Sequence, residues 1–305
     1  MLKKKFIISK KPGQDPSMKS QFLYSLQFIF FLSCATKAEP LFGTAESRIE
    51  STDKNYRSYI ALIVNQNSEN DAGHHLCTGT LVARKQILTS ASCVEKIPNI
   101  KSLQVIFGSA YTTQDARHRA LKYKISSKLT YVDWCKNRPN CIYDQRIDDV
   151  CILTLDSVAY GISHAKITGI TSNNIISFPD AGQSIKVYAW GHTKDTFQPR
   201  LPSKGFIKAL SKQDCEERVR KLIPACLSDV VLPERVFCAA ADPPILAVDG
   251  DFGGPAFYQK QKSVSAILIQ RCPSYHPYHV GKEQVNLLLH LAHYREFFID
   301  VFDRI

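Results

Sequence analysis

Three separated stretches of the chain hold the side chains best suited to covalent chemistry. They are Cys77-Thr78-Gly79-Thr80-Leu81-Val82 with Leu88-Thr89-Ser90-Ala91-Ser92-Cys93, then Asp148-Asp149-Val150, then Gly250-Asp251-Phe252-Gly253-Gly254-Pro255. Hydroxyls beside a cysteine, a carboxylate doublet and a glycine-rich turn are materials of acyl transfer. That reaction needs a serine oxygen made nucleophilic by an imidazole that takes its proton, with an aspartate holding the ring in the right tautomer. The imidazoles nearest to any of these stretches in sequence are His74 and His75, just before Cys77.

The order and spacing of the three stretches resemble the trypsin/chymotrypsin family of serine proteases, over roughly residues 49 to 305. Further pieces fall in register: Arg48-Ile49 resembles an activation site, Trp190-Gly191 a strand end, and Phe237-Cys238-Ala239 the stretch before the nucleophile loop. The resemblance implies an all-β fold of two packed six-stranded antiparallel β-barrels, with the site in the cleft between them and a C-terminal helix closing the domain.

Carried over residue by residue, the family's histidine, aspartate and serine positions read Ser92, Asp149 and Phe252. A serine hydroxyl stays protonated near neutral pH and cannot replace a base whose pKa must lie near the operating pH. Phenylalanine has no atom able to form an acyl-enzyme. The triad is therefore expected to be degenerate, with Asp149 a buried, hydrogen-bonded carboxylate. His75 matches a family histidine that supports the inactive precursor, a structural role.

The specificity pocket departs from the family pattern too. Leu246 stands at the floor position, Leu268, Ile269 and Gln270 on the wall strand, and Gln284 at a second wall glycine. An apolar floor would not attract Lys or Arg, and the wall side chains are expected to block entry. The activation switch survives in part: cleavage at Arg48-Ile49 would release an amine to insert beside Asp251. The hinge residues that follow, Glu50, Ser51 and Thr52, make that insertion stiffer than in the family.

The resemblance also implies disulfides Cys77–Cys93 and Cys215–Cys238. Ile185 and Tyr258 stand where a third family bridge would be, so both ends are absent together. A fourth would join Val248 to Cys272; Cys226–Cys272 is the rewired alternative. Cys135 and Cys141, six residues apart, suit a small bridged loop, and no His/Cys set of four accompanies them for zinc. Cys151 is then the odd thiol, a small hydrophobe.

These residues need a scaffold. Short β-branched or aromatic runs at Tyr59-Val64, Leu103-Phe107, Val150-Leu155, Ile185-Trp190, Val264-Ile269 and Val285-Leu289 are separated by polar turns, the pattern of a barrel or sandwich. Leu291, Tyr294, Phe298 and Val301 recur at helical spacing, giving one amphipathic terminal helix. With 305 residues, 44 % of them hydrophobic, the chain can bury an adequate core.

The first 38 residues read as a signal-peptide region. Met18-Lys19 leads into the apolar run Phe22 to Leu32, with small residues and cleavage sites after Ala35 or Ala38. The run is short for a membrane span, which needs about 20 residues, so no stable membrane anchor is expected. Residues 1 to 17 are either a basic leader or an upstream extension of a chain starting at Met18. Residues 39 to 48 then form a short pro-segment, and 49 to 305 the protease-homologue domain.

Ten cysteines, nine of them after the signal-peptide region that holds Cys34, point to an oxidising, extracellular setting. The formal charge of +11 is concentrated in the leader: residues 39 onward hold 32 basic against 27 acidic side chains. No basic run interleaved with aromatics suggests nucleic-acid binding, and no cofactor is expected. The expected function is that of a secreted, catalytically inactive homologue acting on an extracellular protein partner such as a protease, inhibitor or receptor. The alternatives are an active serine endopeptidase and a binder of anionic polysaccharide.

Overall fold

The computed structural model describes residues 58–66, 74–108, 121–170, 178–191, 202–222, 232–241, 245–258, 263–269 and 285–303, with the backbone of a short strand β1 (Glu39–Pro40). Arg48, Ile49, Cys226, Gln270, Cys272 and Gln284 lie outside the described residues, as do the signal-peptide region and the remainder of the pro-segment.

Six strands close the first barrel: β2 (Ile60–Asn65), β3 (His74–Leu81), β4 (Gln86–Thr89), β5 (Leu103–Phe107), β6 (Leu121–Thr130) and β7 (Cys151–Leu155), in the order β2-β3-β4-β7-β6-β5. Six more close the second: β8 (Ser184–Ala189), β9 (Ser203–Ala209), β10 (Val236–Ala240), β12 (Pro255–Tyr258), β13 (Ala266–Leu268) and β14 (Asn286–His290), in the order β10-β14-β13-β12-β8-β9. Every neighbouring pair within the barrels is antiparallel. Between β10 and β12 in sequence, β11 (Ile245–Leu246) pairs in parallel with β1. Closure leaves neither barrel an open edge.

The first barrel buries Ile60, Ile63, Ile87, Val105 and Leu153 completely. In the second barrel the buried set Ile185, Val187, Ile207, Ala239, Ala256, Ala266, Leu268 and Leu288 falls at alternate positions, as one face of a pleated strand requires. Ile185 and Tyr258 face each other across β8 and β12, the juxtaposition a bridge between those positions would need.

Helix α1 (Tyr131–Lys136) starts at Thr130, whose hydroxyl accepts the Asp133 N–H at 3.0 Å. The Cys135–Cys141 disulfide closes the loop after it. Helix α2 (Lys212–Leu222) begins with the same device, the Ser211 hydroxyl accepting from Asp214 N–H at 3.1 Å. The C-terminal run is a 3₁₀ turn, Leu291–Tyr294, passing into α3 (Arg295–Asp303). Leu291, Tyr294, Phe298 and Val301 are buried as their spacing foretold, joined by Phe297. Asp300 accepts from Trp134 Nε1 at 2.7 Å and pairs with Arg138 at 2.6 Å, so α3 clamps the bridged loop.

Candidate active-site cleft

The groups of the candidate site come from the turn after β4, the residues before β7 and the turn between β11 and β12. Ser92 sits in the first of these, a segment tied to β3 by the Cys77–Cys93 disulfide. Its backbone N–H donates to Asp149 Oδ1 at 2.6 Å and its hydroxyl to Oδ2 at 2.8 Å. Asp149 is wholly buried. The Ser90 hydroxyl lies 3.3 Å from that of Ser92. One short side chain thus engages both carboxylate oxygens, and the hydroxyl proton points at the aspartate.

The turn 250–254 is held on both sides. Asp251 N–H donates to Val248 O, Gly253 N–H to Leu268 O and Gly254 N–H to Asp251 O. Thr78 N–H, from the first barrel, donates to Phe252 O at 3.0 Å. Gly253 has φ +82, and an added Cβ would run into the Thr78 carbonyl and the Thr89 hydroxyl, so glycine is required. The Phe252 side chain is half-buried against the main hydrophobic cluster.

Asp251 is fully buried and accepts from Gly191 N–H at 2.7 Å and Val248 N–H at 2.9 Å. Burial pushes its carboxyl well above the usual carboxylate range, more than these two donors lower it. The ring of His75 lies against Gly250, where an added Cβ would collide with it.

The pocket positions separate. Leu246 is half-buried in β11. Leu268 is fully buried and packs with the interior of the second barrel, so it is a core residue and not a wall that blocks entry. This departs from the sequence expectation, because β13 turns that position inward. Ile269, one residue on, packs in the other cluster.

Two features escaped the sequence reading. Asp148, also fully buried, accepts from Arg235 Nε at 2.5 Å, Arg235 Nη2 at 3.0 Å, Tyr294 Oη at 2.6 Å and Asp144 N–H at 2.6 Å. This knot ties the segment before β7 to β10 and the terminal turn. The Asp148-Asp149 doublet was its signal, but only the second carboxylate had a role in the family pattern. The other feature is Thr78, whose hydroxyl donates to Gly250 O and accepts from Trp190 N–H, both at 2.8 Å.

A third disulfide, Cys215–Cys238, joins α2 to β10, and Cys151 is a buried free thiol whose pKa burial raises to about 12. Among the described residues no group of three or more His, Cys, Asp or Glu side chains is placed to hold a metal ion, and no helix is long and apolar enough to cross a membrane.

Comparison with known proteins agrees with this architecture. Residues 48–280 match the family model described as Trypsin. Melanization protease 1 of Drosophila melanogaster is 24 % identical over 222 residues, covering 67 % of this chain and 52 % of that protein. Snake venom serine protease 3 of Protobothrops jerdonii is 27 % identical over 154 residues, covering 48 % of this chain and 52 % of its own length. The chain spans about half the length of the curated relatives it matches. Among solved structures, human heparin binding protein superposes with a TM-score of 0.55 at 16 % identity, over 82 % of this chain and 94 % of its own. Mouse neuropsin gives 0.57 at 15 %, over 81 % and 96 %.

Proposed function

The chain belongs to the trypsin family, and from that premise we propose that it is a secreted, catalytically inactive homologue that acts by binding a protein partner in extracellular proteolysis. The observation that carries this reading is the Ser92–Asp149 contact: the carboxylate that would orient an imidazole is engaged by a serine. Its second support is Phe252, whose side chain occupies the turn where a nucleophilic hydroxyl would be required.

Ser92 cannot serve as base, since its own proton would have to leave first. In a serine protease of another fold, loss of the triad serine or histidine alone lowers turnover on the order of a millionfold. The relatives are named as proteases, an activity that rests on those two groups.

Secretion is supported by the signal-like leader and by three disulfides among the described residues, which persist in oxidising compartments. A protein partner is the ligand this reading favours, because the similar proteins are named as proteases, whose substrates are polypeptides.

A fluorophosphonate probe tests the chemistry directly. The purified chain is expected to remain unlabelled under conditions that label an active trypsin-like protease. Stoichiometric labelling of one serine would overturn the proposal.

A further inference from the structure

Thr78 sends its N–H and its hydroxyl across the boundary between the two barrels. From β3 of the first barrel, its N–H reaches Phe252 O at 3.0 Å and its carbonyl accepts the Thr89 hydroxyl at 2.9 Å. Its hydroxyl donates to Gly250 O and accepts from Trp190 N–H, each at 2.8 Å, and the residue is fully buried. A hydroxyl has one proton to give and lone pairs to receive, so this arrangement matches its capacity.

Trp190 and Gly191 directly follow β8, while Gly250 and Phe252 belong to the turn before β12. Thr78 holds the first of each pair with one side chain, and Asp251 holds Gly191 from the other side through its N–H. The strand end and the turn are thereby fastened at two adjacent residues, by groups lying within residues 78–251. Gly250, at φ +94, presents its carbonyl to Thr78 in a backbone conformation that a side chain would strain.

We infer that Thr78 is a positioning residue, a latch that keeps the turn 249–254 ordered in the intact chain, so that its order does not wait for cleavage between Arg48 and Ile49. In the family pattern an amine released by cleavage orders these loops by pairing with the aspartate. Here the residues that would carry that amine inward include Glu50, Ser51 and Thr52, whereas the latch needs no chain cut. The inference concerns the order of the turn and stands whether or not the chain hydrolyses peptides.

Removing the hydroxyl strands two buried backbone groups at once, the Trp190 N–H and the Gly250 carbonyl, and stranded groups favour local opening. Thr78→Val keeps the shape and deletes the hydroxyl; Thr78→Ser keeps the hydroxyl and deletes a methyl. Amide hydrogen exchange on the intact, uncut chain reads the outcome.

Wild type and Thr78→Ser are expected to protect Trp190 and residues 251–254. Thr78→Val should exchange those amides at least about ten-fold faster, with the protection of β10 unchanged. A role in packing alone would leave Thr78→Val like wild type and speed exchange in Thr78→Ser, which loses the methyl. Intact wild type whose turn amides exchange as an unstructured peptide does overturns the latch, and this arm needs no variant to fold. So does Thr78→Val exchanging as wild type.

Discussion

Ser92 holds Asp149 by both carboxylate oxygens, through its backbone N–H at 2.6 Å and its hydroxyl at 2.8 Å. With a histidine at position 92 the ring would stand between the carboxylate and the substrate. The shorter side chain turns back onto the aspartate, and the pair becomes an internal hydrogen-bond unit of the first barrel. Its value to the protein is then stability, which can be measured.

Ser92→Ala is expected to lower unfolding stability by about 1–3 kcal/mol, because Asp149 is fully buried and loses its hydroxyl donor. Denaturant titration checks this. A variant with the wild-type midpoint would mean that the contact is not formed in solution.

The Asp148 knot should matter more. Arg235 is 23 % exposed in its side chain and Asp148 is 0 %, so removing the cation leaves a carboxylate buried with only neutral donors. Arg235→Met is expected to cost about 3–5 kcal/mol. Tyr294→Phe removes one donor to the same carboxylate and is expected to cost about 1–3 kcal/mol. Equal, small effects of the two would show that the guanidinium is replaced by water.

Much of the scaffold was readable, and the unread parts have physical reasons. The runs at Leu103-Phe107 and Val150-Leu155 hold β5 (Leu103–Phe107) and β7 (Cys151–Leu155), because buried strands read as largely apolar sequence. β6, Leu121–Thr130, was missed: its exposed positions carry Lys122, Lys124, Ser126 and Ser127, and its pairing with β7 shifts between Ile125 and Ser127, which breaks the alternation. In β9 the outward positions hold Lys204, Phe206 and Lys208 while Gly205 lies inward, so the apolar signal falls on the wrong face. Within the site, Ser92, Asp149 and Phe252 were singled out through the resemblance to the trypsin/chymotrypsin family. Thr78 was not, since a single hydroxyl in a strand gives no hint that two turns distant in sequence will converge on it.

Asp251 gives a pH dependence with a definite sign. Its folded-state pKa is raised by burial above the unfolded value of about 3.9, so the neutral form is the one the fold favours. The associated stability is complete below about pH 4 and is lost as pH rises through the folded pKa. In the intact chain, Asp251→Asn should therefore become progressively more stable relative to wild type as pH is raised from about 4 towards neutrality. If cleavage seated an amine beside Asp251, the same variant would instead cost about 3–5 kcal/mol in the cut chain. Melting curves of both chains before and after cutting at Arg48 distinguish the two; a difference between variant and wild type that does not vary with pH would mean that Asp251 is not buried as described.

The Cys135–Cys141 bridge closes a short loop, and replacing both cysteines by serine is expected to cost about 2 kcal/mol. Because the loop is also held by Arg138 and Trp134 on Asp300, the double variant should still fold. Non-reducing peptide mapping of the same preparation also reports whether Cys226 pairs with Cys272.

Turnover of a peptide library by the purified chain, before and after cutting at Arg48, tests the proposed inactivity most directly. Hydrolysis is expected to stay at background for wild type and for Ser92→His and Phe252→Ser singly, since each single reversal still lacks the other half of the proton transfer. Turnover that tracks the wild-type protein through successive columns and survives repurification would contradict the account.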